Sequence, residues 1–170
     1  AGLPGHHPPL AGGGLSTMAL IPATTTVGVD VARPVAEVFP FAADFRNDPT
    51  WRTEVVTSEL VAGEPPGVGA RYDQVLTVLG REIHTSFEVV ECVPGRILGF
   101  AGSSGPLDVA GSLVFVPTSD RTTRLLFGHR MSGPLWFAAV EPWLARRRRR
   151  GIGRDLDRLR RHLEGVAASP

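Results

Sequence analysis

Residues 134–164, PLWFAAVEPWLARRRRRGIGRDLDRLRRHLE, form the only long segment of this chain with a sustained helical period. In its second half Ile152, Leu156, Leu159 and Leu163 recur at spacings of four, three and four, which lines one apolar face of an amphipathic helix. The rest of the chain reads mostly as strands, and one long helix against many strands predicts a sheet that wraps it. A wrapped helix leaves a space between helix and sheet, so the expectation is a container for a small molecule.

The segment is not uniform. Trp136, Val140 and Trp143, ahead of the run Arg146 to Arg150, lie on nearly the opposite side of the helical wheel from Ile152 and Leu156. Gly151 and Gly153 weaken the helix just after the run, and Pro142 suits a first-turn position. A bend or a separate short helix near Pro142 is therefore expected. Its exposed aromatics would offer a homodimer surface, a membrane-touching patch or a gate. Extending the Ile152–Leu159 face backward at about 100° per residue brings Glu141, Ala145 and Arg148 onto it, with Arg149 at its edge. The arginine side chains there are expected to snorkel to the rim. The alternative is a guanidinium that enters the cavity and pairs with Glu141 or with an anionic ligand.

The chain has 170 residues, 42% of them hydrophobic, which fits one globular domain with a sizeable core. All 18 basic residues are Arg, and the net charge is +1. Nine Arg and four acids fall in residues 134–164, leaving nine Arg against thirteen acids elsewhere, so the positive charge is local. Cys92 is the only cysteine, which rules out an internal disulfide and points to a reducing setting, with Cys92 as a buried apolar filler. No apolar run approaches the ~20 residues of a transmembrane helix, and the N-terminus lacks the charged and apolar regions of a secretion signal. The expected location is the cytoplasm. Residues 1–22 are rich in Gly and Pro and read as a flexible arm; residues 23–165 read as the single domain, and 166–170 as a tail.

Within that domain Thr24 to Val31 alternates and is β-branched, the pattern of a strand. Pro34 then opens a helix of about three turns through Val35, Val38, Phe39, Ala42 and Phe45, with Pro40 expected to kink or split it. Asn47-Asp48-Pro49 marks a break and a second short helical start near Trp51, with Asp44 and Asp48 as terminus and turn caps. Six strands follow, at Val55 to Ala62, Ala70 to Leu79, Glu82 to Val93, Arg96 to Ala101, Leu107 to Pro117 and Thr122 to Met131, separated by short Gly- and Pro-containing turns. Connections so short favour antiparallel neighbours. The order is one strand, two short helices, six strands and one long helix: an α+β fold with no βαβ alternation.

This order and several of its stretches resemble the helix-grip superfamily, also called START-like or SRPBCC, and within it the polyketide cyclase/dehydrase and lipid-transport group. RPVAEVFPFAADFRNDPTWRTEV looks like the family's opening helices, GVGARYDQV like its third strand, and FEVVECVPGRILGF like the next hairpin. LVFVPTSDRTTRLLF looks like the late hairpin and EPWLARRRRRGIGRDLDRLRRHLE like the C-terminal helix. The resemblance implies a curved seven-stranded antiparallel sheet gripping the long helix, with a hydrophobic cavity between. It also implies binding of lipids, hormones or aromatic polyketides, with cyclisation or dehydration catalysed by some members. Apolar residues usually stand where this chain has Arg147 and Arg148.

Strand alternation then nominates the side chains that face the cavity. In the last strand the inward set is Leu125, Phe127, His129 and Met131. Leu113 and Phe115 line the strand before it, Thr85 and Phe87 the fourth, and Tyr72 and Gln74 the third, with Phe100 in addition. Trp51 is a lid residue or core anchor beside them. Tyr72, Gln74, Thr85 and His129 form a candidate polar set, and Glu141 and Arg148 face it from the helix. A histidine in an apolar wall is a hydrogen-bond partner or a proton carrier. Three functions follow. The first is binding or carriage of a hydrophobic or aromatic small molecule. The second is a polyketide cyclase or dehydratase with His129 as general base and Tyr72, or an Arg, polarising a carbonyl. The third, a nucleic-acid or ribosome partner through Arg146 to Arg150, is not expected, because no base-stacking aromatics interleave with the run. No phosphate-binding loop, dinucleotide fingerprint or metal-ligand spacing is present, so no cofactor and no metal are expected.

Overall fold

The structure is a computed structural model, and it describes residues 25–165. The expected arm at 1–22 and tail at 166–170 lie outside the described residues. Strand β1 (Thr25–Val31) leads into α1 (Val35–Ala42), a 3-10 turn (Phe45–Asn47) and α2 (Asp48–Trp51). Then come β2 (Val55–Ala62), β3 (Arg71–Val78), β4 (Arg81–Val93), β5 (Ile97–Ser104), β6 (Leu107–Ser119) and β7 (Thr122–Ser132), and α3 (Leu135–Glu164) closes the order. The sheet runs β1-β7-β6-β5-β4-β3-β2 and is antiparallel throughout. It is the α+β helix-grip architecture: a seven-stranded antiparallel sheet, a long C-terminal helix and short helices between the first two strands.

Local chemistry accounts for the hairpins. Leu79 and Gly80 join β3 to β4 with φ of 52° and 75°, the two positive values that a tight I′ turn demands. Gly105 supplies φ 58° at the first position of the two-residue link between β5 and β6. Because β7 pairs with both β6 and β1, the first strand is tied to the last hairpin, with Val27 opposite Phe127 and Thr25 opposite His129.

The short helices differ from the sequence expectation. Helix α1 ends at Ala42, so Phe45 falls in the 3-10 turn and not in a third helical turn. Pro40 sits inside α1 and has no N–H to donate, and Asp44 then turns extended and accepts from the Arg46 N–H at 3.1 Å. Asp44 is thus the expected cap. Asp48 is not: its side chain caps nothing and is fully buried.

Helix α3 is also simpler than expected. It runs unbroken for 30 residues, about 45 Å, with no separate helix ahead of Pro142. Both Pro142 and Ala138, whose carbonyl the proline leaves without a donor, are exposed, so water serves that carbonyl. The C-terminal half is fastened firmly. Ile152, Leu156 and Leu159 are buried, the Ala32 N–H donates to Glu164 Oε1 at 2.8 Å, and Arg33 Nε donates to the Leu163 carbonyl at 2.9 Å. Gly165 ends the helix in the left-handed region with φ 70°. The N-terminal half buries little beyond Phe137; Leu135 is 95% exposed, and Trp136, Val140 and Trp143 also lie open. No helix among the described residues is long and apolar enough to cross a membrane.

Two glycines separate packing from space. A Cβ on Gly111 would sit 2.5 Å from both the Gly128 carbonyl oxygen and Phe100 Cζ, whereas one on Gly151 would meet nothing within 4 Å. Gly111→Ala is therefore expected to cost about 2 kcal/mol by overpacking and to lower Tm by several degrees. Gly151→Ala, a helix-interior change into open space, is expected to gain about 1 kcal/mol. Thermal denaturation of the two variants checks the pair, and equal effects would contradict the packing described.

Candidate functional site

The open space beside Gly151 belongs to a cavity of about 240 Å³ between α3 and the sheet. Alternate residues of five strands wall it: Gln74, Leu76 and Val78 of β3; Ile83, Thr85 and Phe87 of β4; Phe100 and Ser104 of β5; Leu107 and Val109 of β6; Phe127, His129 and Met131 of β7. Helix α3 covers it with Phe137, Leu144, Arg147, Arg148, Gly151, Ile152 and Asp155, and Trp51, Arg52 and Glu54 close one side. Phe45, displaced from α1, seals the inner end. Its ring stands edge-on to Tyr72, Phe87 and Phe100 at centroid distances of 5.2, 4.9 and 5.4 Å.

Of the nominated residues, Trp51, Gln74, Thr85, Phe87, Phe100, Phe127, His129 and Arg148 meet in this one wall. Tyr72, Leu113, Phe115 and Glu141 do not. Tyr72 is fully buried behind Phe45, its hydroxyl has no side-chain partner among the described residues, and burial pushes its pKa up to about 12. Its phenol is enclosed in the core and cannot polarise a carbonyl in the cavity. Leu113 and Phe115 share the inward face of β6 with Val109 but lie where α1 fills the space, with Phe39 edge-on to Phe115 at 5.0 Å. Glu141 stands on α3 outside the wall, one carboxylate oxygen buried without a partner among the described residues.

The polar members form separate pairs. Thr85 donates to Ser104 at 2.8 Å, and Gln74 donates through Nε2 to Asp48 at 2.8 Å and Ser58 at 3.0 Å. His129 lies 3.4 Å from Arg148, Nδ1 to Nη1, and stacks on Phe127. Arg148 thus turns inward, against the expectation of snorkelling, because the ring nitrogen takes one of its N–H groups. Arg147 remains exposed at the mouth, as snorkelling predicts. A guanidinium always donates, so Nδ1 accepts and the ring hydrogen resides on Nε2. Burial, followed by the Arg148 and Arg52 charges, lowers the His129 pKa to about 3, so its imidazole is neutral across the physiological range.

Sequence reasoning missed Arg52, Asp48 and Asp155 as parts of this site. Arg52 Nη1 lies 2.8 Å from Asp48 Oδ2 and its guanidinium covers Phe127 at 5.7 Å. Asp155 accepts from the Thr53 N–H at 3.0 Å and the Thr53 hydroxyl at 2.6 Å, which fixes the edge of the cavity to α3. Its place between Ile152 and Leu156 on the buried face was the available signal; for Arg52 only its four-residue spacing from Asp48 pointed inward.

The same fold is found in known proteins. The sequence profile described as polyketide cyclase / dehydrase and lipid transport matches residues 22–164. The chain belongs to that family. Among solved structures, the aromatase/cyclase ZhuI from Streptomyces sp. R1128 superposes with a TM-score of 0.66 at 15% identity, covering 82% of this chain and 92% of that one. A conserved protein from Geobacillus kaustophilus gives a TM-score of 0.67 at 15% identity over 82% and 94%. A START superfamily protein from Mycobacterium smegmatis gives 0.60 at 16% over 83% and 94%. Identities so low establish the shared fold. No curated protein matches the chain.

The Asp48–Arg52 pair yields a test of how the wall is held. Burial raises the Asp48 pKa, and Arg52 and Gln74 act against that rise. A carboxyl with a raised folded-state pKa contributes most stability below its ordinary value and loses that contribution as pH climbs through the folded value. Arg52→Met strands the buried carboxylate, so it is expected to cost about 3 kcal/mol at pH 7, with the deficit shrinking toward pH 4. Urea unfolding at both pH values checks this, and equal deficits would contradict it.

Proposed function

We propose that this protein binds a small hydrophobic or aromatic molecule in the cavity between α3 and the sheet. The observation that carries the reading is the cavity itself: about 240 Å³, walled mainly by aromatic and aliphatic side chains, with a few polar groups in pairs. A dry apolar cavity of about 150 Å³ accommodates benzene, so this one suits a two-ring molecule or the apolar end of a longer ligand. Exposed Glu54 and Arg147 mark the mouth. Membership of a family described by cyclase, dehydrase and lipid-transport activities supports the same chemistry of ligand.

The cyclase or dehydratase reading rests on His129 in the wall. An imidazole with a pKa near 3 is a free base at neutral pH but a feeble proton acceptor, since efficient general bases titrate near the working pH. With Tyr72 sealed behind Phe45, an arginine is the one of the two partners considered for His129 that lines the cavity, and Arg148 stands 3.4 Å from the ring. Binding or carriage is therefore the function we assign. Within the Arg146 to Arg150 run, Arg148 turns to the cavity, so the run does not present five side chains to one surface.

The test uses Trp51 as reporter. The chain has three tryptophans, Trp51, Trp136 and Trp143, and only Trp51 lines the cavity. In a W136F/W143F background, 2-naphthalenemethanol is expected to change Trp51 fluorescence saturably. Gly151→Leu, which fills the open space above the sheet, is expected to weaken that binding at least tenfold while the protein stays folded. Undiminished affinity in folded G151L, or no saturable change in the parent, would refute the reading.

A further inference from the structure

The cavity is apolar in area yet unusual in charge. Three of its lining residues are arginines, Arg52, Arg147 and Arg148, against two acids, Glu54 and Asp155. Arg52 is spoken for by Asp48, and Asp155 by the Thr53 N–H and hydroxyl. What remains is Arg147 at the mouth and Arg148 inside against Glu54 at the edge and Asp155, whose bonds to neutral Thr53 leave its charge in place, so the charges balance in number and what is unusual is their pairing.

Arg148 is the member that matters. It is part-buried on the cavity face of α3, and none of the ion pairs among the described residues includes it. The acids that influence it, Glu141 and Glu54, both lie beyond 4.0 Å. Its one side-chain hydrogen bond among the described residues goes to a neutral histidine at 3.4 Å. A cation withdrawn from water without a counterion is costly, and such groups ordinarily occur paired.

The hydrogen-bonding inventory specifies the missing partner. Guanidinium groups only donate, and the Arg148 bond leaves the His129 ring with its hydrogen on Nε2, also a donor. Two adjacent groups that offer donors, one of them charged, complement an acceptor-only anion, and a carboxylate matches the planar fork of an arginine. The surrounding wall is aromatic: Phe127 stacks on the His129 ring at 6.1 Å, and Phe100 is 6.4 Å from it.

Resting on the binding function proposed above, we infer that the ligand is a hydrophobic acid, an aromatic or similarly flat monocarboxylate whose carboxylate pairs with Arg148 beside His129 while its ring system lies against Phe100 and Phe127. The ligand then supplies the counterion that the protein withholds.

The experiment compares two probes of nearly equal shape, 2-naphthoate and 2-naphthalenemethanol, by Trp51 fluorescence in the W136F/W143F background. The parent protein is expected to bind the carboxylate at least tenfold more tightly than the alcohol, the scale of one charged hydrogen-bonded pair. Arg148→Met is expected to bring the affinities for the two probes within about twofold of each other, and Arg146→Gln, on the exposed side and outside the cavity wall, is expected to leave the advantage intact. Equal affinities for the two probes in the parent would overturn the acid preference while sparing the cavity as a binding site. An advantage that survives in R148M, or that falls equally in R146Q, would overturn the assignment to Arg148. Binding of neither probe would remove both proposals together. Should R148M fail to fold, the parent's own preference between the probes still decides.

Discussion

A 30-residue helix fastened along only one half of its length is the constraint on which the rest of this molecule depends. Ile152, Leu156 and Leu159 sink into the core, Asp155 is held by Thr53, and the Glu164 end is tied to Ala32 and Arg33. These contacts fix the height of α3 above the sheet. Beyond them, toward its N-terminus, the helix continues over β-strands whose inward side chains do not fill the gap. Gly151 stands where the fastened part ends, and its missing side chain leaves the space open. The cavity is thus a consequence of where the helix is anchored, and of one residue that has nothing to put there.

Inside that space the protein solves its polar problems pairwise. Asp48 is matched by Arg52 and Gln74, and Thr85 by Ser104. Each of these pairs also braces the wall, joining α2 to β3 or β4 to β5. His129 with Arg148 is different, because a neutral ring cannot balance a guanidinium. The same burial that lowers the His129 pKa to about 3 keeps the ring neutral beside Arg148. On the binding function proposed above, the site serves recognition more than proton transfer.

Much of this is legible in the amino-acid sequence itself. Alternation locates the strands, with Val55 to Ala62 placed to the residue, and the punctuation of Gly and Pro locates the hairpins. Those are local rules, and they act on local signals. Alternation also assigns inward faces, but not depth along them. Tyr72 and Gln74 are two residues apart on one face of β3, yet Tyr72 is sealed by Phe45 and Gln74 borders the cavity. That difference is set by Phe45, whose position depends on where Pro40 and Asp44 end α1. Leu113 and Phe115 fail as cavity residues for the same reason, since α1 occupies the space above them. The helical wheel puts Arg148 on the buried face; whether it stays inside depends on His129, a contact across 19 residues of chain. The long helix needs no break at Pro142, because the unpaired carbonyl lies on the wet side.

Central to all of this is the proposed ligand, whose ring system would lie between α3 and the sheet. The most direct measurement is the set of intermolecular nuclear Overhauser effects from bound 2-naphthoate to methyl groups of the protein. The expected contacts are to Leu76, Ile83, Leu107 and Ile152, which surround the cavity from both layers. Contacts confined to Leu135 and Val140, on the open face of α3, would place the ligand outside and contradict a cavity-bound ligand.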